Sequence, residues 1–156
     1  MSDAEDDMHP GHAGLLIKLF RTWSAARTIG DNPLPAMYAH AEPFGAAPEL
    51  VPACESYFLL VESHLGRPLV PECCCSTVPS ADEAALIMLL RHAPTAGPVK
   101  TSSAVPHGMS GPLVWAAFSV SRALAESLFI QDGADVPSAA DPLHCPFGDS
   151  TVGKAA

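Results

Sequence analysis

Residues Pro71 to Ala93 read Pro-Glu-Cys-Cys-Cys-Ser-Thr-Val-Pro-Ser-Ala-Asp-Glu-Ala-Ala-Leu-Ile-Met-Leu-Leu-Arg-His-Ala, and their reading decides the fold. The second half specifies a helix. Ser80 can accept from the Glu83 backbone N–H while the Glu83 side chain reaches back to Ser80, a reciprocal capping box. Asp82 and Glu83 sit at the positive end of the helix dipole, Arg91 and His92 at its negative end. Ala84 to Leu90 is apolar on every face, which predicts a helix surrounded by protein at the centre of the domain. The first half sets Cys73, Cys74 and Cys75 just ahead of that helix.

Upstream, the spacing predicts a helix over Glu49–Leu65. Leu50, Cys54, Phe58, Val61 and Leu65 make one apolar stripe, and Glu55 and Glu62 face water. Pro52 fits its first turn, and Gly66 followed by Pro68 ends it. A helix over Ala13–Arg27 buries Leu16, Leu19, Phe20 and Trp23, with Lys18, Arg21, Thr22 and Arg27 away from the stripe centre. The connection Leu34–Pro48 carries at most one helical turn, over Pro35–His40. Met37, Tyr38 and Phe44 pin it to the core, because a bare loop of that length is uncommon in a compact domain.

Downstream, a fourth helix is predicted from near Ser110 to Ile130. Leu113, Ala117, Val120, Leu124 and Leu128 form its buried stripe. Ser119, Arg122 and Glu126 form its wet face, with Trp115 in register as a pointer to a contact surface. The only strand-like run is Pro68–Glu72. The expected architecture is all-α: a small four-helix bundle-like domain over 12–130 with long Pro/Gly-rich connections. An acidic, disordered tail is expected over 1–11 and a loosely docked or disordered one over 131–156.

Composition narrows the function. The 156-residue chain is the size of one domain, and its 48% apolar and 16% charged content demands burial on more than one helix face. A formal charge of −9, with only 8 basic residues, argues against nucleic-acid binding. Three of those cations (Lys18, Arg21, Arg27) share the first helix, and the acidic N-terminal tail is their expected neighbour. The chain opens with Asp3, Glu5, Asp6 and Asp7 instead of a basic leader, and no apolar stretch reaches the ~18 residues of a membrane span. A cytoplasmic protein is therefore expected, and its 5 cysteines are read as thiols or metal ligands instead of a disulfide framework.

The cysteine triplet is the one unusual chemical feature. In an extended chain Cys73 and Cys75 share a side and Cys74 points away, so convergence of all three needs a turn. Three readings stand open: small buried residues packing the helix entrance, a redox or thiol-reactive site, or a metal site. A closed site for zinc or another thiophilic ion would take Cys73, Cys74, Cys75 and a fourth ligand, Cys145 or else His144. Cys54, on a buried stripe, reads as an apolar filler. His64 and His92 read as helix C-terminal groups, and His9 with His12 as incidental. No phosphate-binding glycine loop, Gly-x-Ser-x-Gly elbow or His-Glu-x-x-His is present, so a thiol-dependent enzyme pairing the run with His92, His107 or His144 is the weakest reading.

Over Arg21 to Ala93 the chain resembles a family of small alphaproteobacterial helical proteins known only as a domain of unknown function. Arg67-Pro68-Leu69, the Cys73-Cys74-Cys75 triplet and the Asp82-Glu83 helix start carry the resemblance. It implies a helical bacterial protein. The expected function is a small non-catalytic interaction or regulatory protein with a possible protein partner, thiol-responsive through the triplet; metal binding is the alternative.

Overall fold

The computed structural model describes residues 10–92 and 111–127, and every statement below concerns those residues. The architecture is all-α. The helices are α1 (Pro10–Thr28), α2 (Pro33–Ala41), α3 (Leu50–Leu65), α4 (Ala81–Arg91) and α5 (Gly111–Ser127), with a short 3-10 turn over Glu42–Phe44. No strand occurs among the described residues. Of the tail expected over 1–11, residues 1–9 lie outside them, whereas Pro10 and Gly11 already belong to α1. The tail over 131–156, the loop around His107, and Leu128, His144 and Cys145 also lie outside them.

The core is built around α3, which packs against α5 and against the α1–α2 pair. Leu15, Leu16, Leu19, Phe20 and Trp23 of α1 pack against Leu50, Val51, Cys54, Tyr57, Phe58 and Val61 of α3. Leu113, Ala117, Val120 and Leu124 of α5 complete the cluster. Phe58 is the hub of its aromatic part. Its ring centroid lies 5.2 Å from that of Phe20, edge to face, and 5.2 Å from that of Trp23, separations at which ring quadrupoles attract. Tyr57, which the one-stripe reading passes over, is buried and donates its hydroxyl to the Leu86 carbonyl at 2.9 Å, tying α3 to α4. Leu65, assigned to the stripe, is instead exposed, because Gly66 turns the chain away there at φ 65°. Cys54 is a buried filler as expected, and burial pushes its thiol pKa far up.

Two expectations need larger corrections. The connection after α1 holds a nine-residue helix instead of one turn. Asn32 caps α2 by accepting from the Leu34 N–H at 3.1 Å, and Pro33 and Pro35 fall in the first turn, where a missing N–H costs nothing. Met37 docks it, whereas Tyr38 stays exposed. The second correction concerns α4, which is capped as predicted but not wrapped. It presents one edge, Glu83, Leu86 and Leu90, to the core, while Met88 is 56% exposed and Ile87 and Leu89 are half-buried. Seven apolar residues in a row carry no phase, so the run could not show which face turns inward. Leu86→Ala is therefore expected to cost ~2–5 kcal/mol, and Met88→Ala to stay within ~0.5 kcal/mol. Thermal melts of both variants check this, and equal losses would contradict a one-edged α4.

Candidate functional site

The segment between α3 and α4, residues 66–80, carries the cysteines and is held by side-chain carboxylates. Four of its backbone N–H groups donate to acids on the flanking helices. Leu69 N–H donates to Glu62 Oε1 at 2.9 Å, Val70 N–H to Asp82 Oδ2 at 2.8 Å, Glu72 N–H to Glu83 Oε1 at 3.2 Å, and Ser80 N–H to Glu83 Oε2 at 2.9 Å. Pro68 and Pro71 have no N–H to offer. The extended run over 68–72 thus finds carboxylates where a partner strand would otherwise stand, which is why it is no strand. Glu62, expected to face water, bridges instead, taking the second contact from Arg27 Nη1 at 2.8 Å.

Asp82 and Glu83 each receive an arginine fork. Arg67 Nη1 and Nη2 donate to Asp82 Oδ2 and Oδ1, both at 2.7 Å. Arg21 Nε and Nη2 donate to Glu83 Oε1 and Oε2 at 2.7 and 2.9 Å, and Nη1 continues to the Ser76 carbonyl at 2.8 Å. Glu83 is fully buried, and its two oxygens also accept the Glu72 and Ser80 N–H groups. All four acceptor positions of a carboxylate are filled, the condition under which a buried charge is tolerated. Burial alone pushes the Glu83 pKa up, but the Arg21 hydrogen bonds and the two N–H donors outweigh it and hold the carboxyl below its usual range. Asp82 is depressed to about 2, chiefly by the Arg67 hydrogen bonds; desolvation opposes them, and the Val70 N–H and the Arg67 charge add smaller downward effects. Arg21 and Arg27 therefore meet acids of α4 and α3. Sequence reasoning gave Arg21 a different neighbour, the acidic tail.

Both carboxylates titrate lower folded than unfolded, so they stabilise the fold above their ordinary pKa values, near 3.8 for Asp82 and 4.5 for Glu83. That contribution falls away as pH drops through the folded values. The melting temperature is expected to hold steady from neutral pH down to about 5 and to fall between there and pH 2. Asp82→Asn should flatten the lower part of that fall; an unchanged acid limb would contradict the assignment.

The cysteines ride on this clamped segment. Ser76 N–H donates to the Cys73 carbonyl at 2.9 Å, closing a turn that does not bring all three cysteines together. The turn brings the Cys73 and Cys75 sulfurs to 3.0 Å, and Cys74 lines a separate cavity. All three side chains are exposed, which overturns the reading of buried packing residues. Among the described residues no three His, Cys, Asp or Glu side chains are grouped to hold a metal ion; the proposed fourth ligand, Cys145, lies outside them. His92 is the C-cap residue of α4, and His64 lies in the last turn of α3.

The cavity beside Cys74 has a volume of about 390 Å³. Ile17 and Ala25 of α1 contribute apolar surface, His40 comes from α2, and Cys74, Ser76 and Pro79 come from the loop. Burial lowers the His40 pKa, and the Lys18 charge lowers it further. Lys18 also lines the cavity, its Nζ 5.6 Å from the centroid of the Phe44 ring. A further surface feature is on α5, where Trp115 is 57% exposed and stands edge-on to Phe118 at 5.9 Å.

Fold and site together define a small all-α domain with a carboxylate-clamped cysteine loop. No protein-family model, curated protein or solved structure matches the chain. No helix among the described residues is long and apolar enough to cross a membrane.

Proposed function

We propose that this is a small, non-catalytic regulatory or interaction protein of the cytoplasm, of the helical bacterial kind that the triplet resembles, whose state is set by Cys73 and Cys75. The observation carrying this reading is the 3.0 Å separation of their sulfurs on an exposed loop. That is about one ångström longer than a disulfide bond. On oxidation the two thiols lose two protons and two electrons and an S–S bond forms. A low-molecular-weight disulfide can take these up, its own S–S bond breaking to give two thiols.

Such a bond closes across the Cys73–Ser76 turn, and Ser76 is the residue whose carbonyl receives Arg21. The oxidation state is thereby coupled to the joint between α1 and α4. Exposed Trp115 supports the interaction side of the reading, since a large aromatic group in water is typical of a docking anchor.

The test is treatment of the Cys74→Ser protein with diamide, followed by peptide mass mapping. The expected product is a loss of two hydrogens in the peptide holding Cys73 and Cys75, reversed by dithiothreitol. Absence of that bond would overturn the reading. So would a stoichiometric thiophilic metal that blocks these thiols in the purified protein.

A further inference from the structure

The cavity beside Cys74 is chemically unlike the rest of the chain. The protein carries a net charge of −9, yet no carboxylate lines this cavity among the described residues, whereas Lys18 and Arg21 both do. Arg21 is fixed there by Glu83 and Ser76 O, so its guanidinium edge is held in place rather than mobile. Thr22, Ser76 and Thr77 add polar lining, and Ile17, Ala25 and Pro79 supply apolar wall. Cys74, an exposed cysteine, lines the same space. With the Arg21 charge compensated by Glu83, Lys18 beside an apolar wall favours a small organic anion, and a thiol at that wall can react with one that carries a disulfide.

We propose that this cavity binds a low-molecular-weight anionic disulfide and that Cys74 captures half of it as a mixed disulfide. This rests on the thiol-responsive reading of the loop but uses a different thiol. The step balances without a further reactant. The Cys74 thiolate attacks one sulfur of R–S–S–R, a Cys74–S–S–R bond forms, and the ligand S–S bond breaks. The leaving R–S⁻ carries off the electron pair and takes up the proton that Cys74 released. Lys18 attracts the carboxylates of R, and the apolar wall covers its methylene groups. With about 390 Å³ available, the cavity is near the lower end of the range usual for small-molecule sites.

Three probes of different charge test the proposal: oxidised glutathione as the anion, 2-hydroxyethyl disulfide as the neutral compound and cystamine as the cation. The protein is the Cys73→Ser/Cys75→Ser double variant, in which neighbouring thiols cannot resolve the adduct. Peptide mapping over time is expected to show the Cys74 adduct forming about tenfold faster with oxidised glutathione than with cystamine. The preference should shrink in high salt and on adding Lys18→Gln, with the helical circular dichroism unchanged. Equal rates for all three probes, a preference for cystamine, or no adduct at Cys74 would each overturn the proposal. The outcome is separable from the Cys73–Cys75 test, since each experiment removes the thiols on which the other depends.

Discussion

Glu83→Ala is expected to lower the stability by about 3–5 kcal/mol, the range found when one partner of a buried ion pair is removed. The variant strands the Arg21 guanidinium, whose side chain is only 11% exposed, and leaves the Glu72 and Ser80 N–H groups without their acceptor. Urea unfolding followed by circular dichroism measures the loss. Glu83→Gln should lose less, because an amide oxygen still accepts. The double change Arg21→Met/Glu83→Leu should recover much of the loss, since a well-packed apolar pair often equals a buried ionic one. A loss under about 1 kcal/mol for Glu83→Ala, within the range of an exposed pair, would show that the joint does not depend on this carboxylate.

Phe58→Ala is expected to cost a similar ~3–5 kcal/mol by a different mechanism. The ring is wholly buried and meets Phe20, Trp23 and Tyr57 at once, so its removal leaves a cavity that three rotamer-locked rings cannot refill. The unfolding midpoint should fall with little change in slope, the signature of lost stability without a changed unfolded state. The Asp82 and Glu83 clamps should keep their geometry in this variant; the clamp linked to the aromatic cluster is Glu62, whose partner Arg27 lies 4.2 Å from the Trp23 ring centroid. A Phe58→Ala protein as stable as the parent would disprove the hub assignment.

What the sequence made legible was local. The Ser80–Glu83 capping box, the Gly66 stop, and the stripes of Leu16, Leu19, Phe20 and Trp23 or of Leu113, Ala117, Val120 and Leu124 depend on neighbours within a turn or two. What stayed hidden was pairing at a distance. Glu83 looked fully employed as a capping residue, and nothing near it announces Arg21, 62 positions away. One signal was present. The first helix holds three cations and no acid, while α4 opens with two adjacent acids ahead of an apolar run. Such a mismatch of charge between two helices of one small domain is resolved by pairing them. The side on which α4 faces inward was hidden for the opposite reason, an excess of apolar residues with no polar one to set the phase. For the cysteines, the parity of an extended chain placed Cys73 and Cys75 on one side, but the structure brings their sulfurs together across a turn. Parity could not show that the turn lies on the surface.

The clamped loop has a consequence for its amide protons. Those of Leu69, Val70, Glu72 and Ser80 point at carboxylates. Deuterium uptake there should be slow at neutral pH, as in a sheet, although no sheet is present. Acid strips away the acceptors themselves, so protection along this segment should vanish before that of the helices, whose carbonyls do not titrate.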